Sequence, residues 1–110
     1  MVASNYTNSL IKLKRFEEAK VLLRKTVPVA QRVLGKEDPL TIKLRWRCAE
    51  ALYKDDGATL DELREVMTTL DDAERIARRV LGNLHPTTEG MRRDLQVVRA
   101  ALAARESEAS

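Results

Sequence analysis

The sequence predicts an all-α fold: antiparallel helix-turn-helix repeats, about five helices in one domain. Three observations predict it. Arg-Val-Leu-Gly stands at Arg32–Gly35 and again at Arg79–Gly82, a period of 47. The residues after each copy also match. Lys36-Glu37-Asp38-Pro39-Leu40-Thr41 answers to Asn83-Leu84-His85-Pro86-Thr87-Thr88, with Gly, Pro and Thr at the same offsets. Finally, apolar residues recur at helical spacing through most of the chain, and no segment alternates with period two for long enough to make a strand. A long fixed period in a helical chain marks stacked repeats, and the stack is expected to be right-handed.

Each copy of the repeat has a local meaning. Leu34 and Leu81 close an apolar run. Gly35 and Gly82 stand where a helix needs a left-handed C-terminal cap, which a residue without Cβ adopts most cheaply. Pro39 and Pro86 suit the first turn of the next helix, where a missing N–H costs nothing. Asp38 is the expected N-cap before Pro39, and His85 holds that place as a poorer cap.

The first helix is expected from Val2 to Lys14, with Tyr6, Leu10 and Leu13 on one face. The second, Phe16 to Leu34, carries Phe16, Ala19, Leu22, Leu23, Thr26, Val27, Ala30, Val33 and Leu34, a stripe wide enough to bury against two neighbours. Pro28 removes one hydrogen bond within it, so a bend rather than a break is expected there, because the periodicity continues on both sides. The third runs from Pro39 to Lys54 with Leu44, Cys48, Ala51 and Leu52. Asp55, Asp56 and Gly57 mark a loop, and Thr59 with Glu62 reads as a capping box opening the fourth helix, which ends near Leu81. The fifth starts near Pro86 and carries Met91, Leu95, Val98 and Leu102; Gly90 weakens its first turns by up to about 1 kcal/mol relative to alanine. The repeats divide the chain at about residues 2–38 and 39–85, with an additional helix over about 86–106.

Composition narrows the function. The chain has 110 residues, enough for one domain, and about a third are charged, with a net charge of +3. That mild excess suits acidic partners without demanding nucleic acid. The sole cysteine, Cys48, excludes an internal disulfide framework and fits a reducing compartment. No apolar run reaches the roughly 18 residues of a membrane span. The opening Met-Val-Ala-Ser-Asn-Tyr has no basic segment followed by a hydrophobic one, so a secretory signal is not expected. The expected location is cytoplasmic.

Leu10, then Lys14-Arg15-Phe16-Glu17-Glu18-Ala19, resembles the tetratricopeptide pattern of an apolar residue, a tight turn, then aromatic-x-x-Ala. The common form of that family has a period of about 34. The longer phrase here, with Asn83-Leu84-His85-Pro86 after Arg-Val-Leu-Gly, is similar to the repeat of kinesin light chains. Ser9-Leu10 matches Ala51-Leu52 at an offset of 42, whereas the later phrase repeats at 47, which puts an insertion at the Asp55–Asp61 corner. Lys14 stands where the family has its turn glycine. A longer parent protein is compatible with two repeats and one further helix.

The resemblance implies a non-catalytic protein–protein interaction module. In that family the first helix of each repeat lines a concave groove that holds a peptide. By register the groove-facing candidates are Ser4, Asn8 and Lys12, then Lys43, Trp46, Arg47 and Glu50, then Arg92 and Arg93. Asparagine can grip a peptide backbone through donor and acceptor. Lysine and arginine pair with acidic side chains, and tryptophan is a frequent binding anchor. An acidic peptide with an apolar anchor would suit such a groove. Trp46 has a second reading, as a residue packed between helices, and Lys43, Arg45 and Arg47 have one as a solvated face. Ser4 stands where a heat-shock-type carboxylate clamp needs lysine, so that subtype is not expected. Cys48 reads as core.

Catalysis is not expected. One histidine has no companions for a metal site, which needs three or four ligands, and there is no Gly-rich phosphate loop. No cofactor is expected. An RNA-binding repeat is a weaker alternative: Arg78, Arg79, Arg92, Arg93 and Arg99 make the C-terminal half basic, but aromatics for base stacking are scarce. Self-association through uncovered end helices is the other alternative, because apolar surface there needs a cover.

Overall fold

Glycine sets both corners. In the computed structural model, which describes residues 16–54 and 57–109, Gly35 and Gly82 have φ of +89° and +100°, the left-handed region that favours a residue without Cβ. The Gly35 N–H donates to Gln31 O at 3.1 Å and the Gly82 N–H to Arg78 O at 3.2 Å, closing the preceding helix in each copy. Among the described residues four helices lie between these punctuation marks and the chain's other breaks: α1 (Phe16–Val33), α2 (Pro39–Tyr53), α3 (Leu60–Val80) and α4 (Pro86–Ala109). They correspond to the second to fifth expected helices. The expected first helix, Val2 to Lys14, lies outside the described residues.

The helix starts are capped as the sequence implies, with one improvement. Asp38 Oδ1 accepts the Leu40 N–H at 2.9 Å. His85, expected to cap poorly, also caps: its Nδ1 accepts the Thr87 N–H at 3.1 Å, so the imidazole substitutes for the carboxylate. At α3 both arms of the capping box are present, Thr59 Oγ1 accepting from Glu62 N–H and Glu62 Oε1 accepting from Thr59 N–H, each at 3.0 Å. The two corners also differ at a threonine hydroxyl. Thr41 Oγ1 donates to Ala30 O at 3.4 Å. Its counterpart Thr88 has a buried hydroxyl with no partner, and the counterpart carbonyl of Ala77 is already taken by the N–H groups of Leu81 and Gly82, at 2.7 and 3.2 Å.

Successive helices pack antiparallel, α1 on α2, α2 on α3 and α3 on α4. The main core lies among α2, α3 and α4, where Ile42, Leu52, Val66, Leu70, Met91 and Val98 meet. A smaller cluster of Ala19, Leu23, Ala30, Leu44 and Ala51 joins α1 to α2. Burying each large aliphatic side chain contributes about 1.5–3 kcal/mol, so among the described residues α1 receives fewer such contributions than α3 or α4.

The helix continues through Pro28 without a break, as expected. One expectation about α1 is corrected. Val33 and Leu34, placed on its apolar stripe, are 69% and 44% exposed. The buried cluster on α1 ends at Ala30, and the last turn runs beyond the surface that α2 offers. No helix among the described residues is long and apolar enough to cross a membrane.

Candidate functional site

The face formed by α2 and α4 carries most of the described candidates. The backbones of these two helices approach each other although a whole helix separates them in sequence. Gly90 is the reason. A Cβ at position 90 would lie 2.4 Å from Cη2 and Cζ2 of Trp46, so the indole of α2 occupies the notch that the missing side chain leaves in α4. Trp46 Nε1 then donates to Asp94 Oδ2 at 2.7 Å, one turn further along α4. Trp46 is half-buried against the main core. Of its two readings, the packing role is the one these contacts support. Gly90, read from sequence only as a weak point of its helix, is the residue that admits the ring.

A small polar network surrounds this contact. Burial raises the pKa of Tyr53, and the neighbouring Asp94 carboxylate raises it further. Asp94 thus accepts from Trp46 and stands beside Tyr53. Arg47 lies with its guanidinium carbon 4.7 Å from the Trp46 ring centroid, within cation–π range. Its Nη1 pairs with Glu50, which also receives Lys54 Nζ at 2.9 Å. Glu50 is buried, and Arg47 Nε is buried with no hydrogen-bond partner.

The remaining candidates divide. Lys43 is exposed and lines a recess of about 370 Å³ with Leu40, Leu81, His85 and Thr87, between the starts of α2 and α4. Arg93 is exposed one turn from Gly90. Neither has an ion-pair partner among the described residues. Arg92 turns the other way, toward α3 and the second corner, with Nη2 3.4 Å from Glu74 Oε2 and 3.5 Å from Asn83 Oδ1. One step along a helix rotates a side chain by about 100°, which is enough to part these neighbouring arginines. Ser4, Asn8 and Lys12 lie outside the described residues.

Arg45 is not part of a solvated face. Only 8% of it is exposed, and its Nη1 stands 2.9 Å from Asp72 Oδ2 on α3. Cys48 is half-buried on the opposite side from Trp46, in a recess with Arg24, Val27, Pro28 and Glu65. Burial raises its pKa, with Arg24 opposing, so the thiol is held protonated. Among the described residues no group of three or more His, Cys, Asp or Glu could hold a metal ion.

No family model, curated protein or solved structure matches this chain. The functional reading therefore rests on the residues and their geometry. Sequence reasoning missed Tyr53 and Asp94. The only trace it had of their network was a glycine inside an otherwise regular amphipathic helix.

Proposed function

We propose that the chain is a non-catalytic protein–protein interaction module of tetratricopeptide character, similar to the kinesin-light-chain repeat, which holds a peptide segment against the face of α2 and α4. The observation that carries this reading is the interlock of Trp46 with Gly90 and Asp94. It fixes two helices side by side before any partner arrives, and such preorganisation lowers the entropic cost of binding. Beside it lies the recess of Leu40, Lys43 and Leu81. Lys43 and Arg93 supply exposed positive charge for steering an acidic segment. Trp46 acts in this reading as a support for the face, with Arg47 stacked on it. The lone cysteine, held protonated, is in keeping with a cytoplasmic setting.

The test is fluorescence polarisation with a panel of labelled peptides of matched length and varied charge. Acidic peptides should bind the wild type, and Lys43→Glu with Arg93→Glu should weaken them by about tenfold or more with the helical circular dichroism unchanged. Equal binding by both proteins, or none by the wild type, would reject this face as the peptide site.

Self-association is the second reading, and exposed apolar residues on α1 favour it. Val21 and Val29 are 54% and 47% exposed, and Val33 more so. Light scattering distinguishes the two, since a monomer has a mass of 12.5 kDa.

A further inference from the structure

A second recess, of about 630 Å³, runs across the outer side of α3 from the first corner to α4. Lys36, Arg45, Asp71, Asp72, Arg75 and Arg99 line it, so it carries two positive charges in excess. The carboxylates are already engaged: Arg75 Nη2 stands 2.9 Å from Asp71 Oδ2, and Arg45 Nη1 stands 2.9 Å from Asp72 Oδ2. Lys36 and Arg99 have no ion-pair partner among the described residues. The excess is therefore concentrated on two side chains that arrive from different elements and face one space.

Arg45 adds a second observation. Its side chain is 9% exposed, and although Nη1 is close to Asp72 it makes no directed hydrogen bond. The charge is paired while a buried donor lacks an acceptor. A planar guanidinium is most strongly satisfied by an oxyanion that can take two of its N–H groups together. A carboxylate side chain brings one charge, and the recess already contains two of those. A ligand that engages Arg45, Lys36 and Arg99 together needs more charge and more oxygens than a carboxylate has.

We propose that this recess is a binding site for a multiply charged oxyanion of the phosphate class, free or carried on a phosphorylated side chain. The site lies on α3, away from Trp46 and Gly90, and does not depend on the peptide-binding reading of the α2 and α4 face.

The experiment is amide and arginine side-chain nuclear magnetic resonance on the full chain at about 50 mM salt, where screening is weak. The probes are inorganic pyrophosphate, a short phosphoserine peptide and the same peptide unphosphorylated. Saturable shifts are expected at Thr69, Asp72 and the Arg45 guanidinium with pyrophosphate or the phosphopeptide, and none with the unphosphorylated peptide. Tighter binding of the phosphopeptide than of pyrophosphate would assign the site to a phosphorylated partner, and the reverse order to a free anion. Lys36→Gln with Arg99→Gln should weaken binding by about tenfold or more, while Lys43→Gln with Arg93→Gln should leave it unchanged. Shifts that never saturate, that spread equally to Lys43 and Arg93, or that persist in the Lys36/Arg99 variant would overturn the assignment.

Discussion

The two sides of the helical stack are held by different forces. On one side α2 and α4 meet through shape: the Trp46 ring fills the space of an absent Gly90 side chain, and Asp94 fixes its nitrogen. On the other side α1 and α3 keep apart, with no pair of their Cα atoms within 8 Å. What crosses that gap is charge. Lys20 pairs with Glu62 at 2.9 Å, Arg24 with Glu65 at 3.1 Å, and Glu37 of the first corner with Arg79 at 2.9 Å. An interlock of stiff groups is intolerant of volume change and indifferent to salt. Ion pairs between long side chains at or near the surface tolerate substitution and weaken as salt rises. The α2 and α4 face is thus the preformed side, and the α1 and α3 gap the adjustable one.

The largest expected effect lies in the interlock. Trp46→Ala should destabilise the fold by about 2–3 kcal/mol, below the full range for a buried aromatic because the ring is half-buried. The loss, measured by urea denaturation, should be the same at low and high salt. A loss that shrinks with salt would mean that Asp94 and Arg47, rather than packing, hold the ring.

Charge across the gap should show a smaller and pH-dependent effect. Lys20 and the Thr59 N–H hold the Glu62 carboxylate below its usual range, and Glu62 with Glu17 raises the pKa of Lys20. Linkage fixes the sign. The Glu62 contribution is present above the unfolded carboxylate value of about 4.3 and is lost as pH falls through its lower folded value. The Lys20 contribution is present below the ordinary lysine range and is lost as pH rises through its raised folded value. Glu62→Gln keeps the reach back to Thr59 and removes the charge, so it should cost about 1 kcal/mol at neutral pH and little at low pH. A cost that does not change with pH would assign the effect to the capping box instead.

The smallest effect belongs to Arg24 and Glu65, whose side chains are 46% and 43% exposed. A double-mutant cycle to alanine should give a coupling of about 0.5 kcal/mol or less at physiological salt. A coupling above about 1 kcal/mol would show the gap to be held more firmly than its charges alone allow.

The parts of the molecule legible in the sequence are those that obey local rules. Gly35, Gly82, Pro39 and Pro86 punctuate the chain wherever it goes, and Thr59 with Glu62 caps a helix without help from the rest of the fold. The site was legible only in outline. Lys43 and Arg93 stand exposed, but Arg92 faces α3, and Glu50 is buried between Arg47 and Lys54. Those outcomes depend on how each helix is rotated against its neighbours, which periodicity does not resolve to one residue. Arg45 shows the same limit: nothing around it in sequence distinguishes a buried ion pair with Asp72 from a solvated arginine. Gly90 is the instructive case. By propensity it is a flaw in α4, and only the approach of Trp46 shows what the flaw accommodates.

The most direct test is to measure the stability of Gly90→Ala in two backgrounds, wild type and Trp46→Leu. If Trp46 occupies the notch, the added methyl group should destabilise the wild type by about 1–3 kcal/mol through overpacking. With the indole removed, the same substitution should become stabilising, by up to about 1 kcal/mol, because alanine favours the helix over glycine. A change of sign between the backgrounds is the predicted result. Stabilisation of both, or equal destabilisation of both, would contradict the interlock between α2 and α4.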